Sequence, residues 1–151
     1  MLEHHDRILS LLEEGYNVDT IYLDITKAFD KVDINLLLNK IKAVGINGKL
    51  YQWIQGFLTN REQLVLVNGK KSYTKKVISG VPQGSVCGPL FFLIMIADID
   101  KDVKHAFLSS FADDTRMSKE VLLSEDTSLL QEDLDTVYKW ASSNNFQQHL
   151  N

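Results

Sequence analysis

Residues 106–117 read Ala-Phe-Leu-Ser-Ser-Phe-Ala-Asp-Asp-Thr-Arg-Met, with two adjacent carboxylates at Asp113 and Asp114. Adjacent side chains on a regular strand point to opposite faces, so two neighbouring acids serve one site only where the backbone turns. The Ser, Asp and Thr residues of this segment favour such a turn. Carboxylates held together need a cation to offset their charge, and Mg²⁺ prefers oxygen ligands. The segment predicts a β-hairpin that carries a metal site, although an isolated Asp-Asp pair is more often a solvated turn.

The composition is that of an ordinary globular protein. The chain has 151 residues, of which 44% are hydrophobic and 24% charged, and this predicts one continuous domain with a real core. Its one cysteine, Cys87, excludes an internal disulfide. The polar, acidic N-terminus has no signal pattern, and no apolar run reaches membrane-spanning length. We therefore expect a cytoplasmic or nuclear protein that is neither secreted nor membrane-bound.

The charge distribution leaves one question open. A net charge of −4 argues against a protein that wraps nucleic acid by charge alone, but it does not exclude a nucleic-acid enzyme with clustered carboxylates. The dense basic cluster consists of Lys70, Lys71, Lys75 and Lys76. It is compatible both with a solvated hairpin and with phosphate contacts.

The first half of the chain predicts helices around one strand. Residues 18–25 alternate as a strand, with Asp24 on its less apolar face beside Thr20 and Tyr22. A short helix precedes this strand and ends at Gly15. Asp33 is the expected N-cap of the next helix. A further helix, residues 49–58, has an expected buried face of Leu50, Trp53, Ile54 and Phe57.

The second half predicts antiparallel hairpins and two helices. Residues 63–67 and 72–78 resemble strands around the Asn68-Gly69 turn. After a glycine-rich loop, a buried helix is expected from Pro89 to Ile99. Residues 103–112 and 115–121 form the arms of the acidic hairpin, and a long helix begins at Ser124. The fold class is α+β, a small antiparallel sheet with helices on one face.

Three separated segments carry a family resemblance. They are 22–30 (Tyr-Leu-Asp-Ile-Thr-Lys-Ala-Phe-Asp), 79–89 (Ser-Gly-Val-Pro-Gln-Gly-Ser-Val-Cys-Gly-Pro) and 111–114 (Phe-Ala-Asp-Asp). In this order and at these separations they resemble motifs A, B and C of the reverse transcriptase palm. The sequences of these motifs are most similar to those of non-LTR, LINE-type (jockey-like) retrotransposons. The resemblance covers nearly the whole chain.

The resemblance implies a polymerase palm with part of the fingers and without the thumb. Residues 1–151 would be a reverse transcriptase domain fragment with motifs A, B and C and the start of motif D, and residues 35–80 would lie partly in the fingers. The implied function is RNA-directed DNA polymerase activity. Its partners would be an RNA template, a DNA primer and deoxynucleoside triphosphates, with missing fingers and thumb supplied by a longer polyprotein.

The resemblance also implies the catalytic acids. Asp24 and Asp113 would bridge two Mg²⁺ ions, for which Mn²⁺ could substitute, and Asp114 would be a weaker ligand. The backbone carbonyl of Ile25 would complete one coordination shell. Two such ions can stabilise the attacking and the leaving oxygen of phosphoryl transfer.

The implied nucleotide site comes from motifs A and B. Phe29 matches the ring that excludes a ribose 2′-hydroxyl, and Lys27 and Ala28 would offer backbone N–H groups to the triphosphate. Gln83 would contact the nucleotide or template, where Gly84 permits a close backbone approach. Asp30 and Asp33 are interpreted as helix-start acids.

Other functions remain open at this level. Viral RNA-dependent RNA polymerases share the palm, but residues 86–92 lack the Thr and Asn that these enzymes use to recognise ribose. Group II intron maturases carry a similar Ala-Asp-Asp box, whereas the motif B text is closer to the LINE type. A different class of interpretation is a catalytically incompetent or domesticated palm remnant that acts as a binding module.

Overall fold

The computed structural model describes residues 2–111 and 114–146. The chain forms two compact units. The first, here the sheet unit, comprises the described residues of Met1–Thr26 and Ala97–Asn151, and the second, the helical unit, comprises Lys27–Ile96. The sheet unit contains α1 (Leu2–Glu13), β1 (Asn17–Asp24), β6 (Phe107–Phe111), β7 (Asp114–Val121) and α6 (Ser124–Ser143). The helical unit contains α2 (Ala28–Lys31), α3 (Ile34–Ala43), α4 (Gly48–Leu58), β2 (Glu62–Gln63), β3 (Leu66–Val67), β4 (Lys70–Lys71), β5 (Lys75–Lys76) and α5 (Cys87–Ile96).

The sheet is antiparallel in the order β1-β7-β6. The predicted pairing of the two arms of the acidic hairpin is confirmed, since Phe111 pairs with Asp114. Across the other ladder Ile21 lies opposite Met117, and Leu23 lies opposite Thr115. The sequence alternation of β1 is therefore matched by alternation of β7, which gives the sheet one apolar and one more polar face.

The apolar face packs against α6. Leu23 and Met117 of the sheet form a buried cluster with Ile99 and with Leu130 and Val137 of α6. The positions on α6 follow the helical repeat, so they form one stripe that faces the sheet. This cluster is the core of the sheet unit.

The expectation that the helices cover one face is wrong for the sheet unit, because α1 packs on the opposite face. His4 of α1 is buried, and its Nε2 lies 3.3 Å from Ser118 Oγ, which is 2.8 Å from Thr20 Oγ1. Burial, followed by the nearby Arg116 charge, lowers the pKa of His4. Small hydroxyl side chains on this face contact one another and the Nε2 of the imidazole, so the polar face can be covered by a helix, although the buried His4 Nδ1 has no partner among the described residues.

Asp133 of α6 anchors the segment that enters β6. Its side chain is 2% exposed and accepts backbone N–H bonds from Lys104, His105 and Ala106 at 3.0, 2.7 and 2.7 Å. These amides therefore bind a carboxylate instead of a neighbouring strand, which is why β6 begins at Phe107 and not at the predicted residue 103. Burial opposes ionisation, but the three N–H bonds outweigh it and lower the pKa of Asp133.

The predicted start and end of α3 are confirmed in the helical unit. Asp33 accepts N–H bonds from Asn35 and Leu36 at 2.8 and 3.1 Å and so caps α3, as predicted. The chain leaves this helix at Gly45 with φ +90°, a conformation that favours glycine. Lys40 of α3 donates from Nζ to the carbonyl of Met95 at the end of α5, 2.7 Å away.

Two helix predictions need correction. Helix α5 starts at Cys87, so Pro89 is its third residue, and Ser85 Oγ accepts the Gly88 N–H at 3.0 Å in the manner of a cap. Proline is tolerated there because N–H groups of the first turn have no partner within the helix. The helix ends at Ile96, and one side of it is open, with Leu90 and Leu93 more than half exposed.

The expected buried face of α4 is wrong at two positions. Ile54 and Leu58 are buried, whereas Leu50 and Trp53 are each 55% exposed. Trp53 instead stacks on Phe57 at 5.4 Å along the helix surface. Apolar residues at helical spacing thus include a surface pair as well as the core contacts.

The predicted strands, residues 63–67 and 72–78, are shorter and interrupted in the structure. Two-residue strands pair β2 with β5 and β3 with β4. Asn68 and Gly69 have φ of +50° and +76°, as the predicted two-residue turn requires. Within the described parts of the chain no helix is long and apolar enough to cross a membrane.

Arg61 ties the loop that precedes α5 to the end of α4. Its Nε donates to the Leu58 carbonyl at 2.9 Å, and its Nη2 donates to the carbonyls of Ser79 and Gly80. Burial lowers the pKa of this guanidinium. One side chain therefore satisfies three carbonyl groups and holds two separated segments together.

Replacing Asp133 with Asn should destabilise the protein by about 1.5–3 kcal/mol at neutral pH, because the bonds from three amides to a charge are lost. The folded pKa is lowered, so the carboxylate stabilises above its unfolded pKa of about 3.9 and this contribution disappears as pH falls through the folded value. Urea unfolding at pH 7 and pH 3 measures both effects. Glu132→Gln, an exposed neighbour, is the control, and an equal loss in both variants would contradict this role.

Replacing Arg61 with Met should cost about 1–3 kcal/mol, because partly buried carbonyls lose their donors. Amide exchange should accelerate at Gly80 and Val81 while residues of α3 keep their protection, which hydrogen exchange resolved by residue would measure. Arg61→Lys keeps the charge but not the planar guanidinium with its several N–H donors, so this variant should retain only part of the protection against exchange. Unchanged exchange at Gly80 in Arg61→Met would refute this anchoring.

Candidate functional site

Two carboxylates face each other at one end of the sheet. Asp24, the last residue of β1, lies directly opposite Asp114, the first residue of β7, and both are exposed. Directly opposite residues have Cβ atoms about 4.5–5.5 Å apart, at which like charges repel. Since Asp24 shares a face with Thr20 and Tyr22, the pair lies on the side of the sheet away from α6.

Arg116 neutralises one member of this pair. It stands two residues after Asp114 on the same face, and its Nη2 lies 3.2 Å from Asp114 Oδ2. The guanidinium also lies over the Tyr22 ring, 5.1 Å from its centre. Asp24 has no side-chain hydrogen bond or ion pair within residues 2–111 and 114–146. The two acids therefore differ, with Asp114 paired and Asp24 free to bind a cation.

Of the predicted metal ligands, the structure brings Asp24 and Asp114 together. Asp113 lies outside the described residues. Ile25 directly follows β1 and is 3% exposed, so its side chain belongs to the core while its carbonyl remains the predicted ligand. Among the residues that the structure describes, no group of three His, Cys, Asp or Glu side chains is gathered for a metal ion.

In the helical unit, three of the predicted nucleotide-binding residues share one cavity. Phe29, Gln83 and Gly84 line a cavity of about 490 Å³, together with Pro82, Ser85, Val86, Gly88 and Pro89. The Phe29 ring stacks on Phe92 of α5 at 4.6 Å and 25°. Because Phe92 is 1% exposed, the inner face of the Phe29 ring is fixed by the core. A cavity of this volume is in the usual range for small-molecule ligands.

Lys27 and Ala28 begin the short helix α2. Lys27 has φ +54° and its carbonyl accepts N–H bonds from Asp30 and Lys31 at 2.9 and 3.0 Å. Ala28 is buried at 2% exposure, whereas the Lys27 side chain is exposed. The tight turn at Lys27 sets the direction in which Phe29 leaves the backbone.

The loop of residues 79–88 docks on α2 through its backbone. The N–H groups of Gly80 and Val81 donate to the carbonyls of Val32 and Phe29 at 2.8 and 2.9 Å. Gly80 has φ +82°, and a Cβ there would lie 2.8 Å from the Asp30 carbonyl oxygen. Only glycine therefore permits this approach of loop to helix.

Asp30 and Gln83 form the side-chain contact across this junction. Gln83 Nε2 donates to Asp30 Oδ1 at 2.8 Å, and Ser79 Oγ donates to the Asp30 carbonyl at 2.9 Å. The carboxylate orients the Gln83 amide so that its oxygen remains available as an acceptor. The sequence interpretation of Asp30 as a helix-start acid missed this contact. No local pattern could have revealed it, since the partners are 53 positions apart.

Arg116 and Arg61 were also absent from the predicted sites. Arg116 could have been found from the strand alternation, which places it on the face of Asp114. Arg61 contacts carbonyl groups that are distant in sequence, and no side-chain motif marks those.

A comparison with protein families agrees with these features. The family model described as reverse transcriptase (RNA-dependent DNA polymerase) matches residues 8–151. The match includes Asp24, Asp114 and the loop of residues 79–88.

Individual relatives are polymerases of mobile elements. The chain is 37% identical over 132 residues to the RNA-directed DNA polymerase from mobile element jockey of Drosophila melanogaster, covering 81% of this chain and 14% of that protein. The corresponding jockey protein of Drosophila funebris is 34% identical over 141 residues, 88% of this chain and 15% of its own length. The Pol polyprotein from type-1 retrotransposable element R2 of Popillia japonica is 31% identical over 99 residues, 66% of this chain and 16% of that protein.

The chain thus spans about one seventh of the length of its jockey relatives. The family model matches nearly all of the chain, and the predicted similarity to non-LTR, jockey-like elements is confirmed. Because the family model matches the chain along nearly its whole length, the chain belongs to the reverse transcriptase family.

Proposed function

We propose that this chain is the catalytic core of an RNA-directed DNA polymerase of a retrotransposon, which adds deoxynucleotides to the 3′ end of a primer. The observation that carries the proposal is the facing pair of Asp24 and Asp114 at the open end of the sheet. In this proposal the sheet unit is the palm, and residues 35–80 of the helical unit lie partly in the fingers.

The donor chemistry at the sheet end fits divalent cations. Two like charges opposite each other are unfavourable without a cation, and carboxylate oxygens suit Mg²⁺ or Mn²⁺. Asp24, Asp113 and Asp114, with the Ile25 carbonyl, would hold two such ions. When bound, the ions supply charge compensation at the attacking and leaving oxygens of nucleotidyl transfer. Arg116 would restrain Asp114, which makes it the weaker ligand.

The helical unit supplies the proposed nucleotide contacts. Phe29, supported from behind by Phe92, would place its ring where a ribose 2′-hydroxyl would project and so favour deoxynucleotides. Gln83, oriented by Asp30, would present its amide to the nucleotide, with Gly84 allowing close approach. Backbone N–H groups of Lys27 and Ala28 would bind the triphosphate. The partners are then an RNA template, a DNA primer and deoxynucleoside triphosphates, with the remaining polymerase parts in a longer polyprotein.

Metal binding tests the acidic site directly. Titration calorimetry with Mn²⁺ and Mg²⁺ should show binding to the wild-type chain, weakened at least about tenfold by Asp24→Asn or Asp113→Asn. Asp114→Asn should have a smaller effect because Arg116 already pairs with that carboxylate. Asp19→Asn, an exposed acid on the opposite face of β1, is the matched control. Metal affinity unaffected by both Asp24→Asn and Asp113→Asn would overturn the site.

Primer extension on an RNA template tests the reaction and the sugar preference. In a polypeptide that also carries the remaining polymerase parts, this chain should support incorporation of deoxynucleotides, and Asp113→Asn should abolish this incorporation. Phe29→Val should narrow the preference for deoxynucleotides over ribonucleotides by about tenfold or more, because space opens for the 2′-hydroxyl.

Phe57→Val is the control, because this partly exposed ring lies outside the cavity, and it should leave the sugar preference unchanged. If Phe29→Val leaves the preference for deoxynucleotides unchanged, the proposed role of the Phe29 ring in excluding the 2′-hydroxyl is refuted. If the wild-type chain binds metal but incorporates nothing, the binding-module interpretation is favoured instead of the polymerase.

A further inference from the structure

We propose that residues 62–76, here called the basic hairpin, bind a single strand of nucleic acid through four lysines and an exposed tyrosine. This surface lies in the helical unit and includes none of the residues assigned above to metal or nucleotide. The inference rests on the proposed function only for the identity of the strand, which would be the template.

Charge is concentrated on the basic hairpin. Its lysines, Lys70, Lys71, Lys75 and Lys76, outnumber its one acid, Glu62, in a chain whose net charge is −4. All four side chains are exposed, and none has an ion pair with a carboxylate in residues 2–111 or 114–146. Unpaired exposed cations clustered in an acidic protein raise the local concentration of a polyanion.

The hairpin also presents apolar and aromatic surface beside these cations. Tyr73 is 95% exposed, and Val65, Leu66 and Val67 are each at least 60% exposed. Leu66 lies opposite Lys71, and Val67 lies opposite Lys70. Opposite residues of an antiparallel pair share a face, so each face of this hairpin combines a cation with an apolar side chain.

The basic hairpin also contains a groove. Its volume is about 430 Å³, and its lining residues are Val65, Val67, Asn68, Lys70, Lys71 and Ser72. Ser72 holds the hairpin at this point, since its N–H donates to the Val65 carbonyl and its Oγ accepts the Val65 N–H, both at 2.9 Å. The groove therefore combines the apolar side chains of Val65 and Val67 with the cation of Lys70, which shares their face of the hairpin.

The chemistry favours a nucleic-acid strand over a protein partner. Lysine is depleted in the cores of protein interfaces, whereas here two lysines lie directly opposite exposed apolar residues. Proteins that bind single strands combine basic grooves with aromatic rings on which unpaired bases stack. In a duplex the base faces are already stacked, so Tyr73 has no base to contact. The occupant is thus a single strand.

Fluorescence anisotropy of a labelled, unstructured RNA strand tests the lysines, with the full chain in EDTA so that no metal site contributes. The test variant carries Lys70→Gln, Lys71→Gln, Lys75→Gln and Lys76→Gln. The control variant has the same net charge and carries Lys49→Gln, Lys101→Gln, Lys104→Gln and Lys139→Gln, all exposed in the structure.

Four phosphate contacts on a single strand correspond to a salt slope of about 2.8 in log affinity against log salt. Between 50 and 200 mM salt the wild type and the control variant should therefore lose about 50-fold more affinity than the test variant. Equal salt dependence in the test and control variants would overturn the lysine contacts.

Tyr73 is tested separately because stacking and charge respond differently to salt. Tyr73→Ala should weaken single-strand binding about 5- to 100-fold without changing the salt slope, and Tyr73→Phe should retain binding. Single-stranded DNA should bind like RNA, and a duplex of the same sequence should bind less tightly. Duplex binding equal to that of the single strand, or unchanged affinity in Tyr73→Ala, would refute the stacking contact.

Asp24→Asn separates this inference from the proposed function. The variant should lose metal affinity and keep RNA affinity, since Asp24 lies outside the basic hairpin. If RNA affinity depends on Lys70, Lys71, Lys75 and Lys76 while metal binding fails in the wild type, the hairpin site stands and the polymerase proposal falls. If the wild type binds metal while its RNA affinity does not depend on these lysines, the hairpin site is refuted and the polymerase proposal is unaffected.

Discussion

The register between β1 and β7 is the constraint on which the sheet unit depends. It places Leu23 opposite Thr115 on the face covered by α6, and Asp24 opposite Asp114 on the other face. A slip of one residue would turn Leu23 away from the core and Asp24 into it. The burial of Leu23 and Met117 against α6 therefore stabilises the same register that brings two repelling carboxylates together. The apolar core opposes the charge repulsion at the sheet end.

Supporting contacts then hold the elements that carry the acids and the loop. In the sheet unit, Asp133 binds three successive amides at the entrance to β6 and so fixes the start of the strand that pairs with β7. In the helical unit, Arg61 holds the loop of residues 79–88 to the end of α4, and Gly80 allows the same loop to approach α2 closely. Both anchors act on backbone groups. Anchoring through the backbone constrains the position of the loop, and the Gln83 side chain is oriented separately by Asp30.

Charge is divided between surfaces. Asp24 and Asp114 face each other at the end of the sheet, whereas four lysines are gathered on the basic hairpin of the other unit. A nucleic-acid enzyme needs both signs, since a polyanion must be attracted and the metal ligands must remain negative. The net charge of −4 is a sum over both surfaces. Composition alone therefore does not reveal that acids and lysines are separated in this way.

The sequence by itself determined the order of the five longer helices and of the three strands of the main sheet, the cap at Asp33, the turn at Asn68-Gly69 and the alternation of β1, because these depend on neighbouring residues. It also determined the family, because the sequences of the three motifs occur in the expected order along the chain. Only the tertiary structure decided what depends on distant partners: the Asp24–Asp114 facing pair, the Arg116 contact, the Asp30–Gln83 bond and the start of β6 at Phe107. It likewise decided that α1 covers the second face of the sheet and that Leu50 and Trp53 stay exposed. Helical spacing specifies which residues share a face, but burial of that face requires another element to pack on it.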